Sequence, residues 1–330
     1  MTTLKSSGSN KNNKIICLRP ESDFEEFGEV APSHFNVIYL SPNDRSLIRK
    51  ASDASVLLIP AVGPKISNDI FSKTSLKMVQ VTGAGIDRLD QDFCARNNIK
   101  VCNVLGASAK SVAEYCIFAA LTISRRLSKT TDEILSGNYK ELRGNIIQDR
   151  MFSLSGLTLG VIGFGSIGQE TAKMFSALGC QIQYYDPSDP KVAENLSQIA
   201  VKNGKEELLR TSDIISIHVP LIDQTKNLIS MQEFSLMKKT SILLNASRGG
   251  VVDEHALSQA IQDKKIKGAA IDVFTSEPPE KNNPLLNLPD EFRDNIILTP
   301  HIGGITAQSW SELFSRSWIN IQRFFDGEEL

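Results

Sequence analysis

The run Leu157 to Ile162 passes directly into Gly163-Phe164-Gly165-Ser166-Ile167-Gly168 and then into an amphipathic stretch from Gln169 to Leu178. A strand, a three-glycine turn and a helix in that order constrain the fold more than any other feature of the chain. Gly163 permits the tight turn, Gly165 lets a pyrophosphate approach the backbone, and Gly168 lets the helix pack against the strand. Ser166 and Ile167 open the helix, whose free N–H groups face the phosphates. The next apolar run ends in Tyr184-Tyr185-Asp186, and Asp186 lies eighteen residues after Gly168. A carboxylate there can accept hydrogen bonds from an adenosine ribose and would repel a 2′-phosphate, so the pattern implies NAD rather than NADP. As a turn residue before Pro187, Asp186 would explain its location but not its spacing.

The same alternation of short apolar runs with polar or amphipathic segments extends through the chain, as parallel βαβ units require. A first set of candidate strands comprises Lys14 to Leu18, Asn36 to Leu40, Ser55 to Ile59, Met78 to Thr82 and Lys100 to Val104. A second comprises Thr158 to Ile162, Gln181 to Asp186, Asp213 to Val219, Ser241 to Asn245, Ala269 to Val273 and Asn295 to Leu298. Six parallel strands suit a doubly wound sheet. With 330 residues, two compact domains are expected. Ser111 to Leu127 reads as an apolar helix buried between domains or against another subunit. Thr306 to Phe325 carries Trp310, Leu313, Phe314, Trp318, Ile321 and Phe325 at helical spacing, and is expected to cross back onto the first domain. The expected boundaries are therefore 1–105 with 302–330 for one discontinuous domain and 106–301 for the other, hinged near Gly106 and Gly303.

Composition narrows the partners. A net charge of −2 leaves no electrostatic footprint for nucleic acid or an anionic membrane, which points to a small-molecule ligand. The five cysteines are scattered without a CxxC pair, so neither a disulfide framework nor a metal site is expected. No apolar run approaches the roughly 18 residues that cross a bilayer. The first 13 residues, rich in Ser, Asn and Lys, read as a disordered tail and not a signal peptide, and the expected location is cytoplasmic.

Three of the later strands end in chemically suggestive loops, the position where ligands collect in open α/β sheets. These are Asn245-Ala246-Ser247-Arg248-Gly249-Gly250, Phe274-Thr275-Ser276-Glu277-Pro278 and Thr299-Pro300-His301-Ile302-Gly303-Gly304. Singly, Arg248 reads as a surface cation, Glu277 as a loop carboxylate and His301 as a structural histidine. Together they supply what a 2-keto acid needs: a planar cation for its carboxylate, a general acid for its carbonyl oxygen, and a carboxylate that keeps the acid protonated. His218, in Ile217-His218-Val219-Pro220, lacks an acidic partner nearby in sequence and is given a structural or cofactor-side role.

From Ser55 to Ile305 the chain resembles the D-isomer-specific 2-hydroxyacid dehydrogenases. The resemblance is carried by the Gly163 to Gly168 loop, His218-Val219-Pro220, Asn245 to Asp253, Asp272-Val273-Phe274 with Glu277-Pro278, and Pro300 to Gly304. It implies an α/β protein of two doubly wound parallel-sheet domains, a Rossmann NAD-binding domain and a smaller flavodoxin-like substrate domain. It also implies hydride transfer between nicotinamide C4 and substrate C2. Arg248 would bind the substrate carboxylate and keto oxygen, His301 would be the acid/base, and Glu277 would orient and charge it. Val219, Pro220, Ala246, Ser247, Arg248, His301 and Gly303 would join the glycine loop, Asp186 and His218 around NAD, with Asp272 near the carboxamide. Gly83-Ala84-Gly85-Ile86-Asp87 is similar to the family's carboxylate loop, where Ala84 and Gly85 would donate backbone N–H groups. The chain departs from the family's pattern at Leu105 and Ser108, where many members carry Pro and Asn. A homodimer through the NAD-binding domain is implied as well.

The resemblance leaves three functions open: reduction of a small unphosphorylated 2-keto acid of the glyoxylate, pyruvate or hydroxypyruvate type, the 3-phosphoglycerate dehydrogenase branch, and a non-catalytic, NAD-sensing, corepressor-like protein. The phosphoglycerate branch usually carries basic residues where this chain has Val81 and Pro60-Ala61-Val62, leaving Lys65 and Arg88 as the cations within reach. The chain ends at Leu330 without a long recruiting tail, which favours an enzyme.

Overall fold

The computed structural model describes residues 13–149 and 151–330, so most of the N-terminal tail lies outside the described residues. They form two compact units, residues 13–107 with 306–330 and residues 108–149 with 151–305. In the first unit, β1 (Lys14–Cys17), β2 (Asn36–Tyr39), β3 (Val56–Pro60), β4 (Met78–Thr82) and β5 (Lys100–Cys102) form a parallel sheet in the order β2-β1-β3-β4-β5. The helix Ala307–Asp326 closes one face of this sheet, burying Leu313, Phe314, Trp318, Ile321 and Phe325 against Ile15, Cys17, Phe24, Val56, Leu58 and Met78. Its Thr306 cap and its Gly327 terminus, left-handed at φ 77°, follow from helix-end chemistry.

The second unit holds β6 (Thr158–Ile162), β7 (Gln181–Tyr185), β8 (Ala200–Lys202), β9 (Ile214–Ile217), β10 (Ile242–Asn245), β11 (Gly268–Ile271) and β12 (Ile296–Leu298). All are parallel, in the order β12-β11-β10-β9-β6-β7-β8. Both sheets are doubly wound, with a switch in strand order between β1 and β3 and between β6 and β9. The seventh strand of the second sheet, β8, escaped the sequence reading. It is a three-residue edge strand whose Val201 and Lys202 are exposed, so it has no apolar run to betray it.

Two segments differ from expectation. The apolar helix, Ala109–Arg125, packs on the sheet of its own unit: Val112, Cys116, Ala119, Ala120 and Ile123 share a core with Leu159, Val161, Leu244 and Ala270. A helix covering a central parallel sheet needs a wide apolar face, which explains its composition without a second body. The unit boundaries also fall slightly later than 105/106 and 301/302. Ala107 is buried in the core under the last helix, and Arg316 donates to the Leu105 carbonyl at 2.9 Å. Ile302 and Gly303 are instead tied to the Asp272 carboxylate, 2.8 Å from each N–H. No helix among the described residues is long and apolar enough to cross a membrane.

Candidate active site

Strand register explains why residues far apart in sequence meet. Asn245 is the partner of Ile271, and Ile271 of Leu298, so β10, β11 and β12 end level with one another. The three loops leaving them carry Arg248, Glu277 and His301. His301 Nδ1 lies 2.9 Å from Glu277 Oε2, with each side chain about one-quarter exposed. Glu277 is held in turn by the Phe274 N–H, 3.1 Å from Oε1. Burial pushes the Glu277 carboxyl upward, but the His301 hydrogen bond and charge, the Phe274 N–H and the Arg248 charge together hold it below the usual glutamate range.

The Arg248 loop is set by Asn245, a nearly buried residue to which the sequence reading gave no role. Its Oδ1 accepts from Ser247 N–H at 3.1 Å and Ser247 Oγ at 2.8 Å, while its Nδ2 donates to the Arg248 carbonyl at 3.2 Å. An Asn at a strand end with Ser two residues later is the sequence signal for such an Asx turn. A Cβ on Gly249 would sit 1.8 Å from the Phe274 carbonyl oxygen, so the Arg248 loop lies flat against the Glu277 loop. Arg248 Nη1 donates to the Ser247 carbonyl at 2.8 Å, which sets the guanidinium beside its own turn.

His301 has φ +56°, a left-handed conformation that costs a non-glycine residue on the order of 1 kcal/mol or more. Its surroundings enforce it. The His301 N–H donates to the Asp272 carbonyl at 2.8 Å, and the Asp272 carboxylate takes the N–H groups of Ile302 and Gly303 and the Thr299 hydroxyl. Asp272 is 1% exposed, and both its carboxylate oxygens are occupied by this loop.

The residues expected at the dinucleotide gather at the switch point. Ile162 pairs with both Tyr185 and Ile217, so Gly163, Asp186 and His218 leave three adjacent strands at one level. Gly163 has φ +91°, and a Cβ there would meet the His218 carbonyl at 2.6 Å and Val219 at 2.8 Å. A Cβ on Gly168 would collide with the Gly163 carbonyl at 2.1 Å, whereas one on Gly165 would meet nothing within 4 Å. That opening over Gly165, at the start of the helix Ser166–Ala177, fits a pyrophosphate. Asp186 Oδ2 accepts from Phe164 N–H at 2.7 Å and Oδ1 from Ser188. Burial raises this carboxyl, yet the Ser188 and Phe164 hydrogen bonds and the Lys202 charge hold it below its ordinary range, leaving an anion with spare lone pairs for ribose hydroxyls. His218 Nε2 meets Ser216 Oγ at 2.8 Å, its Nδ1 is buried without a partner among the described residues, and burial lowers its pKa to about 4. A neutral imidazole is the consequence. Val219 and Pro220 continue this loop beside Gly163, and Ala246 and Ser247 open the neighbouring one.

In the first unit, Gly83 packs so closely on Ala61 that a Cβ would lie 2.5 Å from the alanine Cβ. The Gly83 and Ala84 carbonyls accept from Val104 N–H and Asn103 Nδ2. Arg88 is buried, with Nε and Nη1 donating to the Pro64 and Pro60 carbonyls, while Lys65 is exposed.

Comparison with known proteins supports the same reading. Residues 117–303 match the model of the D-isomer specific 2-hydroxyacid dehydrogenase NAD binding domain. A D-3-phosphoglycerate dehydrogenase of Methanocaldococcus jannaschii is 38% identical over 287 residues, 86% of this chain but 51% of that relative, so the chain spans about half its length. A hydroxypyruvate reductase of Thermotoga maritima is 35% identical over 267 residues, covering 80% of this chain and 82% of the relative. Among solved structures, the D-lactate dehydrogenase of Aquifex aeolicus, complexed with NAD and lactic acid, superposes with a TM-score of 0.81 at 28% identity over 96% of each chain. The NAD-binding match over more than half of the residues, with the glycine loop and the strand-end residues in the geometry above, establishes that this chain belongs to the D-isomer specific 2-hydroxyacid dehydrogenase family.

Proposed function

We propose that the chain interconverts a small 2-keto acid and its D-2-hydroxy acid with NAD, using His301 as the acid/base, Glu277 as its ionised partner and Arg248 as the carboxylate anchor. The His301 to Glu277 contact carries this reading. A carboxylate only accepts, so Nδ1 bears the ring hydrogen and Nε2 is left to give or take the catalytic proton. The glycine loop, Asp186, His218, Val219, Pro220, Ala246, Ser247 and Gly303 would hold NAD, whose nicotinamide supplies or accepts the hydride at C2. Arg248 fixes the substrate carboxylate through charge-assisted hydrogen bonds. In reduction, Nε2 delivers its proton to the C2 oxygen as negative charge develops there, while the anionic Glu277 holds the ring by its Nδ1 hydrogen and leaves Nε2 for that oxygen.

The proposed C3 substituent is small and uncharged. Val81 and Pro60-Ala61-Val62 offer no cation, and Arg88 is buried against the Pro60 and Pro64 carbonyls. The likeness to a D-3-phosphoglycerate dehydrogenase favours a second reading, in which the substituent is phosphorylated. NADH oxidation with hydroxypyruvate and with 3-phosphohydroxypyruvate separates the two. We expect a higher kcat/KM for hydroxypyruvate. A tenfold preference for the phosphorylated compound, about 1.4 kcal/mol of transition-state binding, selects the second reading. NADH binding without turnover of any 2-keto acid would instead support an NAD sensor.

A homodimer through the NAD-binding unit belongs to this proposal. The helices Thr130–Leu135 and Tyr139–Gln148 bury no side chain, and Ile134, Leu135, Tyr139 and Ile147 are exposed on them. Such apolar exposure calls for a partner surface. Sedimentation velocity at micromolar concentration should give about twice the 36.3 kDa of one chain, and a single 36 kDa species would remove the dimer.

A further inference from the structure

Tyr115, on the long helix of the second unit, belongs to no motif discussed above, yet it closes a chain of hydrogen bonds around His301. Its hydroxyl lies 2.7 Å from Thr299 Oγ1, and Thr299 Oγ1 lies 2.6 Å from Asp272 Oδ1. Thr299 has one hydroxyl hydrogen, and the Asp272 oxygen accepts it. The shared contact with Tyr115 must therefore be made by the phenol hydrogen, which gives the direction Tyr115 to Thr299 to Asp272. Burial pushes the Tyr115 phenol above its usual range, so it remains a donor.

The tyrosine touches the loop a second time. A Cβ on Gly303 would lie 3.2 Å from the Tyr115 ring and 2.9 Å from Asp272 Oδ2, so only glycine passes between them. Tyr115 thus grips the loop on both sides of His301, at Thr299 by its hydroxyl and at Gly303 by its ring. The remaining Asp272 contacts, from the N–H groups of Ile302 and Gly303, complete the clamp on a residue held at a left-handed φ.

We propose that Tyr115 is a positioning residue for His301, acting through Thr299 and Asp272 to hold the His301-Ile302-Gly303 loop in the conformation that aims the imidazole. This rests on the reading of His301 as the acid/base. Removing the hydroxyl leaves the ring against Gly303 and frees Thr299 and Asp272 to change partners, so the loop loosens without loss of the core.

The test is Tyr115→Phe in the full chain, alone and combined with His301→Gln. In the single variant we expect the Ile302 and Gly303 amides of the NAD-free protein to exchange hydrogen about fivefold faster, the scale of one lost hydrogen bond. We expect kcat for a 2-keto acid to fall roughly five- to tenfold, with KM and NADH affinity within twofold of wild type. In the His301→Gln background the same change should lower the residual rate no further, because there is no imidazole left to aim. An unchanged kcat and exchange rate in Tyr115→Phe, or an equal further loss in the His301→Gln background, would overturn the proposal. A wild-type protein that turns over no 2-keto acid would refute the acid/base reading itself, while accelerated exchange in Tyr115→Phe would still establish the clamp.

Discussion

Replacing Arg248 with lysine is expected to lower kcat/KM for a 2-keto acid by at least roughly 30-fold. Removing one partner of a desolvated, hydrogen-bonded charge pair costs about 2 to 5 kcal/mol, and retention of charge places the lysine variant toward the lower end. The loss arises because an ammonium on a flexible stem cannot reproduce the two parallel bonds of a guanidinium to a carboxylate. The geometry adds a second cost: Arg248 Nη1 also reaches the Ser247 carbonyl, so the fork is oriented by its own turn before substrate arrives. Steady-state kinetics across a substrate series checks this. A lysine variant within threefold of wild type would show that the carboxylate is anchored elsewhere.

Glu277→Gln should have the next largest effect and a pH signature of its own. Glutamine can accept the Nδ1 hydrogen but carries no negative charge to offset the charge that passes through the ring during proton transfer, so reduction near neutral pH should slow by on the order of 10- to 100-fold, at or below the lower end of the 10²–10⁴-fold span of acid–base catalysis because the imidazole itself remains. Stability follows with a definite sign. A carboxyl held below its ordinary range in the folded state stabilises the fold above its unfolded pKa, and that contribution fades as pH falls through the folded value. The stability gap between wild type and Glu277→Gln should therefore narrow in acid. A Glu277→Gln variant with the kcat/KM of wild type would refute the pairing.

The residues that carry these predictions differ in how visible they are in the sequence. The glycine loop is legible because each glycine answers a local demand: a positive φ at Gly163, an open approach at Gly165, a helix–strand contact at Gly168. Strands β6 and β10 are legible because buried parallel strands are continuous apolar runs. β8 is not, because an exposed edge strand is held by backbone hydrogen bonds to β7 and needs no apolar pattern. The helix Ala109–Arg125 shows the limit of a composition argument: its breadth of apolar residues requires burial but does not say against what.

Taken alone, the sequence determined the chemistry available: a strand-turn-helix for a dinucleotide, and an arginine, a carboxylate and a histidine at the ends of successive strands. Those properties are local, fixed by residue type and by periods of two or 3.6. The tertiary structure decided which of these groups meet. Glu277 and His301 are 24 residues apart, and only the parallel register of β11 with β12 brings Oε2 to Nδ1. The Asp272 carboxylate meets the Thr299 hydroxyl and the Ile302 and Gly303 N–H groups, an encounter that no local spacing specifies. Tyr115 lies 184 residues before the threonine to which it bonds, and no spacing rule connects them. Hydrogen bonds across such distances are short-ranged and directional, so they exist only once packing has brought donor and acceptor within about 3 Å, and no pattern along the chain encodes that encounter.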